Sequence, residues 1–79
     1  MQRRIIDAKG FGAAIRESRR KQKLTQASLA DFFSSFSREF LSDLENGKPT
    51  VELEKAISVA HALGLRIYLT DDAKGGDSL

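Results

Sequence analysis

LTQASLADFFSSFSREFLSDLENGK, residues 24–48, reads as two short helices joined by a polar turn, and the rest of the chain reads as their support. Thr25 precedes one apolar-periodic run (Leu29, Ala30, Phe33), and Ser37 precedes a second (Leu41, Leu44) that stops at Asn46-Gly47. Thr and Ser are suited to these starts because a side-chain hydroxyl accepts from the unpaired N–H groups of a first helical turn. Gly47 supplies the left-handed residue that a helix end favours. The predicted turn is Ser34, Ser35 and Phe36.

Working outward, Asp7 is placed to cap a helix from about Ala8 to about Lys23. Phe11, Ala14, Ile15 and Ser18 share one face, and Arg16, Arg20, Lys21 and Lys23 spread over the others. Gly10 and Gly12 weaken that start, since glycine costs about 0.8–1 kcal/mol per helical position against alanine, so Gly12 is an alternative onset. The two glycines are not a nucleotide fingerprint: Ile15 stands where a third glycine is needed and no strand precedes them. Downstream, Pro49 ends the second motif helix and Thr50 is predicted to cap a helix from Val51 to about Leu63, stopping at Gly64. Leu53, Ala56, Ile57, Ala60 and Leu63 form its expected buried stripe. Residues 65–70, LRIYLT, switch to a period of two with Leu65, Ile67 and Leu69 on one side, which predicts a strand. A lone strand must find a partner, either the same strand of a second copy in a two-fold dimer or the chain's own Arg3 to Ile6. DDAKGGDSL, from Asp71 on, lacks an apolar face and is expected to be a disordered tail.

The fold class is therefore all-α: a small helix-turn-helix domain of four or five helices over residues 1–70, with a dimerisation strand at 65–70 and a tail at 71–79. At 79 residues the core is small enough for dimerisation or a partner to be a natural remedy. With no cysteine there is no disulfide framework, and one histidine cannot build a structural zinc site. No metal, cofactor or catalytic residue is expected, and the chain is not read as an enzyme, since His61 has no nucleophile or ligand partner at a suggestive spacing. No apolar run approaches membrane-spanning length, so the expectation is a cytoplasmic protein with no membrane partner. Residues 1–39 carry nine Lys/Arg against four Asp/Glu, and residues 40–79 carry four against seven. The basic half suits phosphate and the acidic half a different partner or solubility alone.

In a helix-turn-helix the second helix lies in the DNA major groove, with the side chains near its N-terminus reaching base edges. Leu41 and Leu44 turn inward, which leaves Arg38, Glu39, Ser42 and Asp43 outside. Arg38 is the strongest candidate, because a guanidinium can bond guanine O6 and N7 together and so discriminate by about 1–3 kcal/mol. Glu39 can accept from cytosine N4. The cations at Arg16, Arg20, Lys21 and Lys23 read equally as a solvated face or as phosphate contacts. Phe32, Phe33, Phe36 and Phe40 read as core or dimer contacts, with Phe40 a candidate for a thymine methyl.

The run Leu24-Thr25-Gln26, Leu29-Ala30, Leu41 and Leu44-Glu45-Asn46-Gly47-Lys48 resembles the phage-repressor (Cro/XRE) helix-turn-helix family. Residues 40–50, followed by Glu52-Leu53 and Ala62-Leu63-Gly64-Leu65, resemble its HipB-like antitoxins. The likeness spans about Phe11 to Leu69. It implies a homodimeric repressor of its own promoter, bound to palindromic double-stranded operator DNA, and a HipA-like serine/threonine kinase toxin as partner. It further implies that Gln26, Asn46 and Lys48 approach the DNA backbone, that Arg38, Glu39 and Asp43 face bases, and that Arg19 pairs with Glu45. The candidate DNA-binding set is thus Gln26, Ser37, Arg38, Glu39, Ser42, Asp43, Asn46 and Lys48. Two features depart from the family pattern. The turn is one residue longer than usual and lacks its glycine, and the recognition helix carries Glu39, Asp43 and Glu45, acids that weaken attraction to phosphate. The alternative function is a protein-interaction module that neutralises a partner with little DNA binding of its own.

Overall fold

A computed structural model describes residues 2–33 and 35–71. Its elements are four helices: α1 (Ala8–Lys21), α2 (Gln26–Phe32), α3 (Arg38–Glu45) and α4 (Leu53–Ala62). Three of the four starts are fixed by the predicted caps. The Asp7 carboxylate accepts from the Gly10 N–H at 2.7 Å, so α1 begins at Ala8 rather than at Gly12. Thr25 and Ser28 cap α2 reciprocally, each hydroxyl accepting from the other's backbone N–H (3.0 and 2.9 Å). Ser37 accepts from the Phe40 N–H at 3.0 Å and starts α3.

The ends follow the same local chemistry. After α3, the N–H of Lys48 reaches the Asp43 carbonyl (3.0 Å) and that of Gly47 the Leu44 carbonyl (3.1 Å), the double bond pattern of a left-handed helix stop. Gly47 sits at φ 80°, where a side chain would be strained. The chain leaves α4 in the same way through Gly64. α1 ends two residues before the expected Lys23, because Lys23 itself takes φ 59° and lets the Leu24 N–H bond the Arg19 carbonyl at 3.1 Å. That reversal delivers Thr25 to the start of α2.

The core is one cluster: Ile15 from α1, Leu29 from α2, Leu41 and Leu44 from α3, Ala56, Val59 and Ala60 from α4, with Phe36 and Leu63 from the connections. Of the four phenylalanines read as core or dimer contacts, Phe36 is the one buried in the core. The segment between α2 and α3 is long because it carries this ring inward, against Phe33 at a centroid distance of 5.8 Å. Phe33 is itself half-buried, whereas Phe32 is 82% exposed and belongs to no core. Of the four turn and motif serines, Ser34 lies outside the described residues.

Three expectations are corrected. Thr50 does not cap α4: residues 48–51 form a turn closed by the Val51 N–H on the Lys48 carbonyl (3.4 Å), which tucks Val51 against the core and delays the helix to Leu53. Glu52 takes the cap position without a side-chain bond. The buried stripe of α4 is Ala56, Val59, Ala60 and Leu63; of the expected stripe, Leu53 is 70% exposed in the first turn and Ile57 is only half-buried, outside the core cluster. Finally, residues 65–70 form no strand within the described chain, and Arg3–Ile6 does not pair with them. A strand is defined by its hydrogen-bonded neighbour, and a single copy provides none. Ile67, Tyr68 and Leu69 are all exposed there, Leu69 almost completely. The tail expected from Asp71 on falls, apart from Asp71, outside the described residues.

Candidate nucleic-acid interface

The site is organised by one carboxylate. Glu45, the last residue of α3, has no exposed side-chain surface and receives four hydrogen bonds. Arg19 donates from Nε to Oε2 (2.7 Å) and from Nη2 to Oε1 (2.8 Å), a two-pronged buried pair. Gln26 donates its Nε2 to Oε1 at 3.2 Å, and Arg16 its Nε to the same oxygen at 3.3 Å. Three helices are thereby joined at a point: α1 through Arg16 and Arg19, α2 through its first residue, α3 through its last. Arg19 also donates Nη1 to the Leu24 carbonyl at 2.8 Å, fixing the segment that leads into α2.

Burial alone pushes the Glu45 carboxyl up, but the bonds from Arg19, Gln26 and Arg16 together with the Arg19 charge outweigh it and hold the group below its ordinary value. The Arg19 guanidinium is raised, chiefly by its bond to Glu45. Every buried side-chain nitrogen and oxygen among the described residues has a partner, so the ionic centre leaves no polar atom uncompensated.

This centre sets the distance between α1 and α3. Gly12 is buried against the end of α3, where a Cβ would stand 2.2 Å from the Leu44 carbonyl oxygen and 2.8 Å from that of Glu45. The helices approach backbone to backbone, which only glycine permits. That contact explains a glycine which, read locally, only weakens its helix.

With the inner face of α3 fixed by Leu41, Leu44 and Glu45, the remaining side chains are presented outward. Arg38, Ser42 and Asn46 fall four residues apart on one stripe, with Glu39 and Asp43 on the next. Ser37, Arg38 and Glu39 form an exposed group at the N-terminal end, and neither Arg38 nor Glu39 makes a side-chain bond among the described residues. At the other end Asp43 pairs with Lys48 (3.5 Å), and Asn46 bonds Ser42 (3.4 Å). The eight predicted residues thus separate into an N-terminal group, in which Arg38 and Glu39 make no side-chain bond among the described residues, and a cross-linked group about 12 Å away along the helix. Gln26 joins the second group through Glu45, its amide turned inward rather than left free. Phe40 is half-buried beneath the Lys55 ammonium, which lies 5.9 Å from the ring centroid.

Arg16, which the sequence left evenly between a solvated face and a phosphate contact, also joins the Glu45 centre, a tie that sequence reasoning did not foresee. Besides Glu45 it donates Nη2 to the Asn46 side-chain oxygen at 2.9 Å. Its signal was present: it stands three residues before Arg19 on one helix, and hence on the same face. Among the described residues no group of three or more His, Asp or Glu side chains is placed to hold a metal ion.

Comparisons with known proteins agree with this fold. Residues 15–69 match the family described as Helix-turn-helix. The uncharacterized HTH-type transcriptional regulator y4mF of Sinorhizobium fredii is 37% identical over 67 residues, covering 85% of this chain and 87% of that protein. Two solved structures share the fold at a TM-score of 0.79 each. A HipB–O2 20mer complex is 22% identical and covers 90% of this chain and 97% of the other. A HipB–O4 20mer complex is 21% identical with coverages of 89% and 97%.

Proposed function

The chain belongs to the helix-turn-helix (Cro/XRE-type) family of DNA-binding transcriptional regulators, and on that premise we propose that it is a sequence-specific repressor of its own operon and the antitoxin of a HipA-like serine/threonine kinase toxin. The observation that carries this reading is the outward face of α3. Its inward face is clamped by the Glu45 centre, and its N-terminal end offers a guanidinium, Arg38, that makes no bond among the described residues, where such a helix meets base edges. The likeness of fold to two HipB–20mer complexes supports the operator-binding part of this reading.

The working form is a homodimer. Two copies pair through residues 65–70, whose Ile67, Tyr68 and Leu69 are uncovered in a single chain, and the resulting two-fold axis places two copies of α3 on the half-sites of a palindrome. Asn46 and Lys48 contact phosphates, as does Gln26 through the amide N–H not given to Glu45, and Arg38, Glu39, Ser42 and Asp43, with Ser37 beside them, face the groove. The protein works in the cytoplasm; among the described residues no helix is long and apolar enough to cross a membrane.

Asp43 is offset by Lys48, which leaves Glu39 as the exposed acid on the reading face with no ion pair among the described residues. That charge favours the second reading, an interaction module that neutralises a partner with little DNA affinity. Titration of the chain's own promoter fragment against scrambled duplex at several salt concentrations separates the two. Repression requires promoter binding about 10³-fold or more above the non-specific background at physiological salt. Equal affinity for both duplexes selects the interaction module. Deletion from Leu65 onward should convert dimer to monomer in sedimentation, and a dimer that survives moves the interface onto the helices.

A further inference from the structure

We infer that Arg16 is an additional DNA-phosphate contact, supplied from α1 and held in place by the same carboxylate that orients the recognition helix; the inference rests on the DNA-binding reading above. Glu45 offers one negative charge to two guanidiniums. Arg19 takes it in a buried, two-pronged pair at 2.7 and 2.8 Å. Arg16 reaches the same carboxylate by a single longer bond, 3.3 Å from Nε, and spends its other contact on a neutral amide, Asn46, at 2.9 Å from Nη2. One net positive charge therefore remains, and it resides on the more exposed partner. The Arg16 side chain is 37% exposed against 9% for Arg19.

The surroundings do not neutralise it. Arg16 lines a shallow depression on α1 with Ala13, Glu17, Arg20 and Lys21. The acid there, Glu17, is already bonded by Arg3 at 2.7 Å, so Arg20 and Lys21 add to the positive field. A guanidinium has five N–H donors, and two of Arg16's are committed, which leaves a part of the fork facing solvent. Both committed bonds fix its direction, so little side-chain entropy remains to be lost when an anion arrives. Asn46 adjoins this fork and lies on the α3 stripe that begins at Arg38, so an anion bound by Arg16 borders the groove-facing side chains. The other cations of α1 lack this combination, because neither Arg20 nor Lys21 is anchored by a side-chain bond among the described residues.

The test compares the full-length wild type, Arg16→Gln and Arg16→Lys on promoter duplex across a salt series, with folding followed by circular dichroism. One phosphate contact contributes about 0.9 to the slope of log affinity against log salt, which corresponds to about an eightfold change between 1 M and 0.1 M salt. Arg16→Gln is expected to flatten the slope by about that amount. Arg16→Lys should keep the slope, having kept the charge, but bind more weakly at all salts because an ammonium cannot span Asn46 and a phosphate as the fork does. A folded Arg16→Gln with an unchanged slope overturns the inference, even if its affinity falls uniformly, since that is the mark of a packing role. If Arg16→Gln does not fold, the lysine variant decides: weaker binding supports the contact, and wild-type binding overturns it. Failure of the DNA-binding reading is seen separately, as wild-type protein that does not prefer its promoter, and removes this inference with it.

Discussion

Replacing Gly12 by alanine isolates the close approach of α1 and α3. In an unobstructed helix the change stabilises by about 0.8–1 kcal/mol, because alanine loses less backbone entropy. Here the new methyl would stand 2.2 Å from the Leu44 carbonyl oxygen, where ordinary contact begins near 3.4 Å. The end of α3 must retreat by roughly 1 Å, and it is backbone, not a flexible side chain, that has to move. That retreat pulls Glu45 away from Arg19, whose bonds are 2.7 and 2.8 Å long. Overpacking of this kind costs about 1–3 kcal/mol, and the clamped ion pair places it in the upper half of the range. Subtracting the helix-propensity gain leaves a net loss of about 1–2 kcal/mol. For a domain of this size that lowers the melting temperature by about 5–15 °C. The assay is thermal and urea unfolding followed by circular dichroism at one fixed protein concentration, because the stability of the proposed dimer depends on it. Alanine that raises stability by the ordinary helix increment would refute the backbone contact.

Two further outcomes follow from the same geometry. Glu45→Gln leaves the buried Arg19 charge without its partner and should destabilise by about 3 kcal/mol or more. Because the folded chain holds this carboxyl below its ordinary 4.5, the stability it contributes is fully present above about that pH and is lost as pH falls through the lower folded value. The wild-type advantage over Glu45→Gln should thus be flat through neutral pH and shrink only in acid; an advantage that grows in acid contradicts the assignment. The third outcome contrasts two hydroxyls. Ser37→Ala removes an observed cap, the 3.0 Å bond from Phe40, and should cost about 1 kcal/mol. Thr50→Ala should stay within about 0.5 kcal/mol, since α4 starts at Leu53 and Thr50 caps nothing. Equal losses at the two sites, read as urea midpoints, would put the cap back at Thr50.

What was legible in the sequence was local. Asp7, Thr25 and Ser37 announce helix starts because the capping bond joins residues three apart, and Gly47 announces a stop because its φ of 80° suits no other residue as well. Leu29, Leu41 and Leu44 are placed by periodicity. The Arg19–Glu45 pair came only through the family likeness, since nothing in either residue's neighbourhood marks a partner 26 positions away. Thr50 misled because its residue type suits a cap while the turn at 48–51 uses the positions that a helix start would need. Leu53 was included in the stripe and Val59 left out because both stand three residues from Ala56, and spacing alone does not decide which of them faces the core. The close approach at Gly12 and the bonds of Arg16 to Glu45 and Asn46 were hidden most completely. Each makes sense only against α3 and its terminal residues, more than 25 positions downstream.

The central claim is that the N-terminal end of α3 reads base pairs, and Arg38 tests it most directly. Wild type and Arg38→Ala are titrated against a set of promoter duplexes in which every base pair of one half-site is changed in turn, at one salt concentration. The account predicts that the variant loses about 1–3 kcal/mol of discrimination, roughly 5- to 150-fold, at a single base pair and keeps its discrimination elsewhere. Identical discrimination by the two proteins at every position would contradict it.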